Sequence, residues 1–445
     1  MPIDSIRLRH FRCFADSGEI PVRPLTVILG RNNTGKSSIL QSLFLLRQTV
    51  DRPEGGERLN IRGPLFQAGS YADLVHDHRA RRNMTMEYGL GLSNGSQQGR
   101  VELEFASDDP QPPRLASIRV EPLGVEAIEI RRGRGRGGPC ELSIGASKLG
   151  DEASADFRFA VNQFMSPIGS EPPQKGPRSS TREQSRTGAR LVLHELETVL
   201  TNIRAVGPFR QEPARRYDYQ GRPAEAIDLR GENAVQALIE DSTRRGLLRG
   251  QLLASVNEWL TRVGRVRLLP LRRLNRTIRL YEVRLKDVDS GRWVNFADVG
   301  FGIGQAFPVL VEGLRTRKDG LFIVQEPEIH LHPDAQVAIA DFLVDLAQSG
   351  RRVIVETHSE AVLLRIRHRI LGVRNGRRLA VPRLRPDDVS IICFAQHRGG
   401  ASYASALTVD ALGQIAGWPA GFMEEVTRER LQLLKSLAAT SKKGV

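Results

Sequence analysis

Gly30, Gly35, Lys36 and Ser37 stand at the spacing Gly-x4-Gly-Lys-Ser within LTVILGRNNTGKSSIL, Leu25 to Leu40. Glycines at those two places let the backbone curl so that successive N–H groups face one anion, and a following helix aims its positive end at it. Gly30, Arg31, Asn32, Asn33, Thr34, Gly35, Lys36, Ser37 and Ser38 thus read as a phosphate-binding loop. In such a loop Lys36 reaches the β- and γ-phosphates of a nucleotide, and the Ser37 hydroxyl ligates Mg²⁺. Two elements must hold it. The apolar run Leu25 to Leu29 predicts a buried strand, and Ile39, Leu40, Leu43, Phe44 and Leu46 recur at helical spacing after it.

Three later constellations have the same character. Asp298 to Gln305, DVGFGIGQ, leads into an apolar helix expected to begin near Ala306, with Pro308 in its first turn; glycines before a helix N-terminus make a second anion cradle. Leu321 to Val324 is a buried strand whose C-terminal end presents Gln325, Glu326 and Glu328, the end at which open α/β sheets bind ligands. A carboxylate there orients an attacking water or holds the water shell of magnesium. His330 and His332 also permit a metal site, but one residue separates them and no further convincing ligand adjoins. Arg352 to Ser359, RVIVETHS, is a strand ending at His358, a position suited to a γ-phosphate contact.

The 445 residues allow about two to three domain-sized units. A formal charge of +14, carried mostly by arginine, suits contact with nucleic acid or another polyanion; solvated arginine-rich faces are the plainer reading. Cys13, Cys140 and Cys393 have no paired spacing, which points to a reducing cytoplasm rather than a disulfide scaffold. No secretory leader or membrane-length apolar run is read, so a cytoplasmic, membrane-free protein is expected.

Ile3 to Phe14 alternates as a strand, and five short runs between Met84 and Ile144 predict an antiparallel flap. Arg131 to Gly138 reads as a hairpin tip, and Pro167 to Arg186 as a linker. Arg190 to Val206 and Glu232 to Val263 carry helical patterns, and arginine-dense strands follow at Val266 to Leu271 and Thr277 to Val288. The expected division is an N-terminal ATPase lobe over 1–90, an inserted β-rich region with linker over 91–190 and a helical insertion over 191–265. A C-terminal ATPase lobe over 266–375 and a small α/β segment over 376–445 complete it.

The motif order resembles the ABC-type ATPase head shared by SMC, RecF and overcoming-lysogenization-defect (OLD) proteins. Within that class it resembles stand-alone prokaryotic AAA-family ATPases of Septu- and PARIS-type anti-phage systems, on the motifs FRCF, GRNNTGKSS, VGFGIGQ, EPEIHLHP and ETHSE. The segment from Leu407 to Gly413, with Trp418-Pro419 and Gly421-Phe422, resembles the short domain of unknown function that ends many of them. The resemblance implies an α/β ABC-type head that uses ATP and Mg²⁺. Gly30 to Ser38 become its Walker A loop, and Gly302, Gly304 and Gln305 its signature. Glu326 becomes the catalytic glutamate, His358 the switch histidine, and Gln67 the magnesium-sensing loop glutamine. It also implies a dimer, or a larger homo-oligomer, in which the signature of one protomer covers ATP on Walker A of another. Two positions depart from the pattern. Gln325 stands on the metal side of Walker B, where a carboxylate is usual, and Gly304 stands where a serine is usual. Losing one charge-assisted hydrogen bond costs about 1.5–3 kcal/mol, so slow hydrolysis is expected.

The residues after His358 are too few for the nuclease domain of OLD proteins, so no nuclease activity is expected in this chain. The leading expectation is a sensor and scaffold ATPase of a prokaryotic anti-phage complex that controls a separately encoded effector, a nuclease by resemblance. The alternative is a RecF-like repair ATPase that binds DNA through arginines near Arg265 to Arg279 and Arg365 to Arg378.

Overall fold

A computed structural model describes residues 3–51, 58–91, 97–132, 140–149, 181–219, 221, 228–246, 249–275, 279–374, 377–378, 384–397, 400–418 and 432. Two sheets organise them. A seven-stranded sheet runs in the order Ile203–Val206, Leu321–Gln325, Arg352–Glu356, Leu25–Gly30, Val389–Gln396, Ser402–Val409 and Ile415–Ala416. The first five are mutually parallel, Ser402–Val409 runs antiparallel to Val389–Gln396, and Ile415–Ala416 pairs antiparallel with Ser402–Val409. The Walker A strand, the Glu326 strand and the His358 strand thus lie within three consecutive places, and their C-terminal ends open on one side.

The parallel strands read as unbroken apolar runs because helices or a second sheet cover both faces. Leu25, Val27, Leu29, Phe322, Val324, Val353 and Val355 enter one core with the helices Phe301–Arg315, Pro333–Gln348 and Glu360–Leu371. Ile28, Ile323 and Ile354 enter the other, against the Walker A helix Lys36–Val50 and the helix Thr181–Thr201. The period of two along each strand divides the side chains between the cores.

The antiparallel sheet has nine strands and lies over the second core. It contains the five expected flap strands, which extend as Met84–Gly91, Gln97–Asp108, Gln111–Pro122, Ile128–Arg132 and Cys140–Ile144. The N-terminal strand Ile3–Phe11 pairs with Met84–Gly91, so a division after residue 90 cuts through one continuous sheet. The α/β class with an antiparallel flap is therefore the architecture of the chain.

Three local expectations differ. The helical pattern from Arg190 to Val206 breaks after Thr201, and Ile203–Val206 is instead the edge strand of the parallel sheet, with Ile203, Ala205 and Val206 buried. The pattern from Glu232 to Val263 forms two helices, Asn233–Thr243 and Gln251–Gly264. The helix expected near Ala306 begins at Phe301, so Gly302 and Gly304 lie inside its first turn and Pro308 lies mid-helix. The proline ring faces the carbonyl of the residue four before it, which is Gly304. Most of the Arg131 to Gly138 and Pro167 to Arg186 stretches, and the end of the chain beyond Trp418 apart from residue 432, lie outside the described residues.

Candidate nucleotide site

Gly35 caps the helix Lys36–Val50 with a left-handed φ of 95°, and as a glycine it offers no side chain to the first backbone N–H groups of that helix. A side chain at Gly35 would meet Cys13 Sγ at 2.3 Å, so both conformation and space require glycine. Lys36 curls back over the loop. Its Nζ donates to the carbonyls of Gly30 and Arg31, both at 2.9 Å, while Thr34 Oγ1 ties down the Arg31 carbonyl at 2.8 Å. Gln396 Nε2 donates to the Asn33 carbonyl at 2.8 Å from the neighbouring strand. The loop is therefore shaped in advance by its own polar groups. Burial lowers the Lys36 pKa against the pull of Glu356 and Glu326.

In front of the loop lies a cleft of about 810 Å³, lined by Asn32, Asn33, Gly35, Lys36, Ser37 and Ser38 together with Glu326, Glu356 and His358. Arg12, Cys13, Asp73, Val75, His76, Asp77 and His78 also line it, with Cys13 Sγ 3.5 Å from Ser38 Oγ. His358 Nε2 lies 4.0 Å from Glu326 Oε1, and both side chains are partly exposed, at 42% and 32%. Glu326 has a positive φ of 46°, unusual for a residue with a side chain, and its N–H donates to the Glu356 carbonyl at 2.7 Å.

Gln325 does not project alone. It is paired in register with Glu356, its Nε2 donates to Glu356 Oε2 at 2.7 Å, and Ser37 Oγ lies 3.3 and 3.4 Å from the two Glu356 oxygens. The carboxylate missing from residue 325 thus stands at the same depth, one strand over. Glu328, in contrast, turns away from the cleft. Buried at 8% exposure, it accepts from Thr357 Oγ1 at 2.6 Å and from the His358 N–H at 2.8 Å.

Arg210 lies beneath this turn. Its Nη2 donates to the carbonyls of Gln325 and Glu326 at 2.6 and 3.1 Å, and burial pushes its pKa down to about 10, opposed by Glu328 and Glu326.

The signature residues are elsewhere. Gly302, Gly304 and Gln305 do not line the cleft, and Gln305 is buried with its Nε2 donating to the Arg210 carbonyl at 3.4 Å. A Cβ on Gly302 would meet the His330 carbonyl at 2.5 Å, and one on Gly304 would meet Pro213 Cγ at 2.8 Å. These glycines permit close backbone packing within the protomer and do not form a cradle ahead of the helix. Gln67 does not reach the cleft either: exposed, it closes a small bridge with Arg62. Gln41, one turn after Ser37, does line it, and its Oε1 is buried without a partner. His330 packs edge-on against Phe301 and His332 caps the helix Pro333–Gln348; among the described residues no three or more His, Cys, Asp or Glu side chains cluster as a metal site.

A family model described as "AAA domain, putative AbiEii toxin, Type IV TA system" matches residues 25–365. The chain belongs to this AAA-domain family. The matched span runs from the first residue of the Walker A strand into the helix Glu360–Leu371, and so includes every cleft-lining group from Asn32 to His358. A stretch of 47 residues is 40% identical to the Old nuclease of Escherichia phage P2; it covers 11% of this chain and 8% of that protein, so the chain spans under a tenth of that relative's length. Among solved structures, an SMC head bound to the C-winged helix domain of ScpA aligns with a TM-score of 0.43 at 12% identity, over 92% of this chain and 98% of that one. The SMC head domain from Thermotoga maritima aligns at 0.40 and 11%, over 92% and 100%. The Smc head domain with an extended coiled coil, bound to the C-terminal domain of ScpA and derived from Pyrococcus furiosus, aligns at 0.41 and 12%, over 98% and 99%.

In this AAA-domain protein the cleft residues missing from the sequence reading are Glu356, Gln41, Arg12, Cys13, Asp73, Val75 to His78 and Gly400. Glu356 carried a signal: it is a carboxylate at the end of the otherwise apolar run Val353 to Val355. Gln41 follows Ser37 by one turn of the same helix, whereas the rest are brought in only by tertiary packing. No described helix is long and apolar enough to cross a membrane.

Proposed function

We propose that this AAA-domain protein binds and hydrolyses ATP with Mg²⁺, and that nucleotide binding joins two or more copies. The observation that carries this reading is one cleft in which Lys36, Ser37, Glu326, Glu356 and His358 converge from the ends of three neighbouring parallel strands. The donor set fits a metal-bound triphosphate: uncapped helix N–H groups and Lys36 suit phosphate, while the Ser37 hydroxyl, a nearby carboxylate and the orphaned Gln41 Oε1 suit a hard cation. Mg²⁺, when bound, neutralises charge on the phosphate oxygens. Glu326 is placed to take the proton of an attacking water, and His358 beside it to contact the terminal phosphate. Because the Gly302 to Gln305 turn lies outside the cleft, a second copy is the natural source of the cover that excludes water.

The biological setting we infer is a scaffold and sensor subunit of a prokaryotic defence complex that controls a separately encoded effector nuclease. This setting rests on the resemblance of the motifs to those of Septu- and PARIS-type ATPases; the family description itself names a putative toxin of a type IV TA system. Direct DNA binding is less favoured, since Arg265, Arg272, Arg365 and Arg369 form ion pairs with Asp289, Glu282 and Asp341. The test is solution mass with ATP and Mg²⁺, alongside phosphate release, for the native chain and Lys36→Ala. Growth to dimers or larger only with ATP, lost in Lys36→Ala, supports the reading; no ATP binding by the native chain overturns it.

A further inference from the structure

We propose that Glu356 supplies the metal-side carboxylate of the nucleotide site, with Gln325 as the donor that positions it. The inference rests on the ATP and Mg²⁺ reading above and assigns that site a residue outside the usual motif.

Ser37 is the side chain that a phosphate-binding loop offers to the cation. Its Oγ faces Glu356 at 3.3 and 3.4 Å and no other carboxylate among its hydrogen-bond partners. Glu356 is 4% exposed as a residue, yet it lines the cleft, so its charge is shielded from bulk water and directed at the site. Among the described residues its two oxygens meet Ser37 Oγ, and Gln325 Nε2 at 2.7 Å. Lys36 adds attraction nearby.

The residue types at the pair are complementary. Gln325 and Glu356 are register partners on adjacent parallel strands, which lie about 4.8 Å apart. A carboxylate at 325 would place two like charges side by side in a half-buried position, at a cost in energy and in the ionised fraction of one of them. A glutamine donates to its neighbour and leaves one negative charge for the pair. The glutamine that looks like a defect along the chain is thus the partner that a relocated carboxylate requires. On this assignment the glutamine at 325 does not by itself leave the metal without a carboxylate.

The test is equilibrium binding of a fluorescent ATP analogue to the full chain, with Mg²⁺ and with chelator, for native protein, Glu356→Gln and the exchange Gln325→Glu/Glu356→Gln. Glu356→Gln should bind the metal-free nucleotide at least as tightly as native protein does, since it removes a negative charge that faces Ser37 and lies near Lys36. It should lose about tenfold or more of the affinity that Mg²⁺ adds. The exchange keeps shape and hydrogen bond while returning the charge to residue 325, and should recover most of that Mg²⁺ effect. A Glu356→Gln chain with the full Mg²⁺ effect overturns the assignment, as does a folded exchange variant without recovery. Should Glu356→Gln fail to fold, the exchange variant alone decides in the same way. If the native chain binds no ATP analogue under either condition, the nucleotide reading itself has failed, which is a different result.

Discussion

Glu328 holds His358 by its backbone: one carboxylate oxygen accepts the His358 N–H at 2.8 Å and the Thr357 hydroxyl at 2.6 Å. Two motifs far apart in the chain are thereby locked at one depth, with the imidazole left free to face the cleft. Glu328 sits among the carboxylates at the end of its strand but serves as a strut. Glu328→Ala should strip those two buried donors of their acceptor, costing about 1–3 kcal/mol of stability, and remove a charge that opposes the effect of burial on Arg210. Glu328→Gln keeps an acceptor and should cost less. Denaturant unfolding of the two variants checks the order; equal losses would refute the strut.

Arg210 couples to the same strut from below. Its contacts to the Gln325 and Glu326 carbonyls fix the turn at which Glu326 takes its positive φ. Arg210→Met should reduce phosphate release while leaving nucleotide affinity near native, because the loop around Lys36 is not touched. Combined with Glu328→Gln, its stability loss should depart from additivity by about 0.5–3 kcal/mol, as for residues sharing one buried network. Additive losses would show that the two act separately.

Restoring the usual signature serine should harm the protein. A Cβ at Gly304 would lie 2.8 and 3.0 Å from Pro213 Cγ and Cδ, so Gly304→Ser should destabilise by about 1–3 kcal/mol and should not speed hydrolysis. Pro213→Ala in the same chain should recover much of the melting temperature. A Gly304→Ser variant as stable as native would disprove the steric account.

Acid should weaken one tertiary contact selectively. Burial tends to raise the Asp341 pKa, but hydrogen bonds from Arg365 and Arg369 outweigh it and hold the carboxyl below its ordinary 3.8. A depressed carboxylate contributes stability that is fully present above the unfolded value and lost as pH falls through the folded one. Asp341→Asn should therefore be less stable than native protein near neutral pH, and the gap should narrow below pH 3.8. Melting temperatures measured across that range check it; a constant gap would exclude the ion pairs as its cause.

The phosphate loop and its flanking elements were legible along the chain because their determinants are local: glycine conformations, a lysine and serine at fixed spacing, and periodic apolar residues. The strands ending at Gln325 and Glu356 were legible for the same reason. The five flap strands were marked by alternation, but their union with Ile3–Phe11 in one sheet was not, since strand pairing is non-local. The edge strand Ile203–Val206 was obscured by the helix that runs directly into it, and only the place beside Leu321–Gln325 makes it a strand.

At the site, residue types alone established that a nucleotide's phosphates could be held at Gly30 to Ser38. They could not establish which carboxylate faces Ser37. That depends on sheet register, which sets Glu356 opposite Gln325 although 31 positions separate them in the chain. Nor could they show that Glu328 points inward and Glu326 outward, because that is decided by a backbone turn over the buried Arg210. Sequence settles chemistry whose parts are neighbours along the chain; where charges must meet across strands, packing decides which of several like groups does the work.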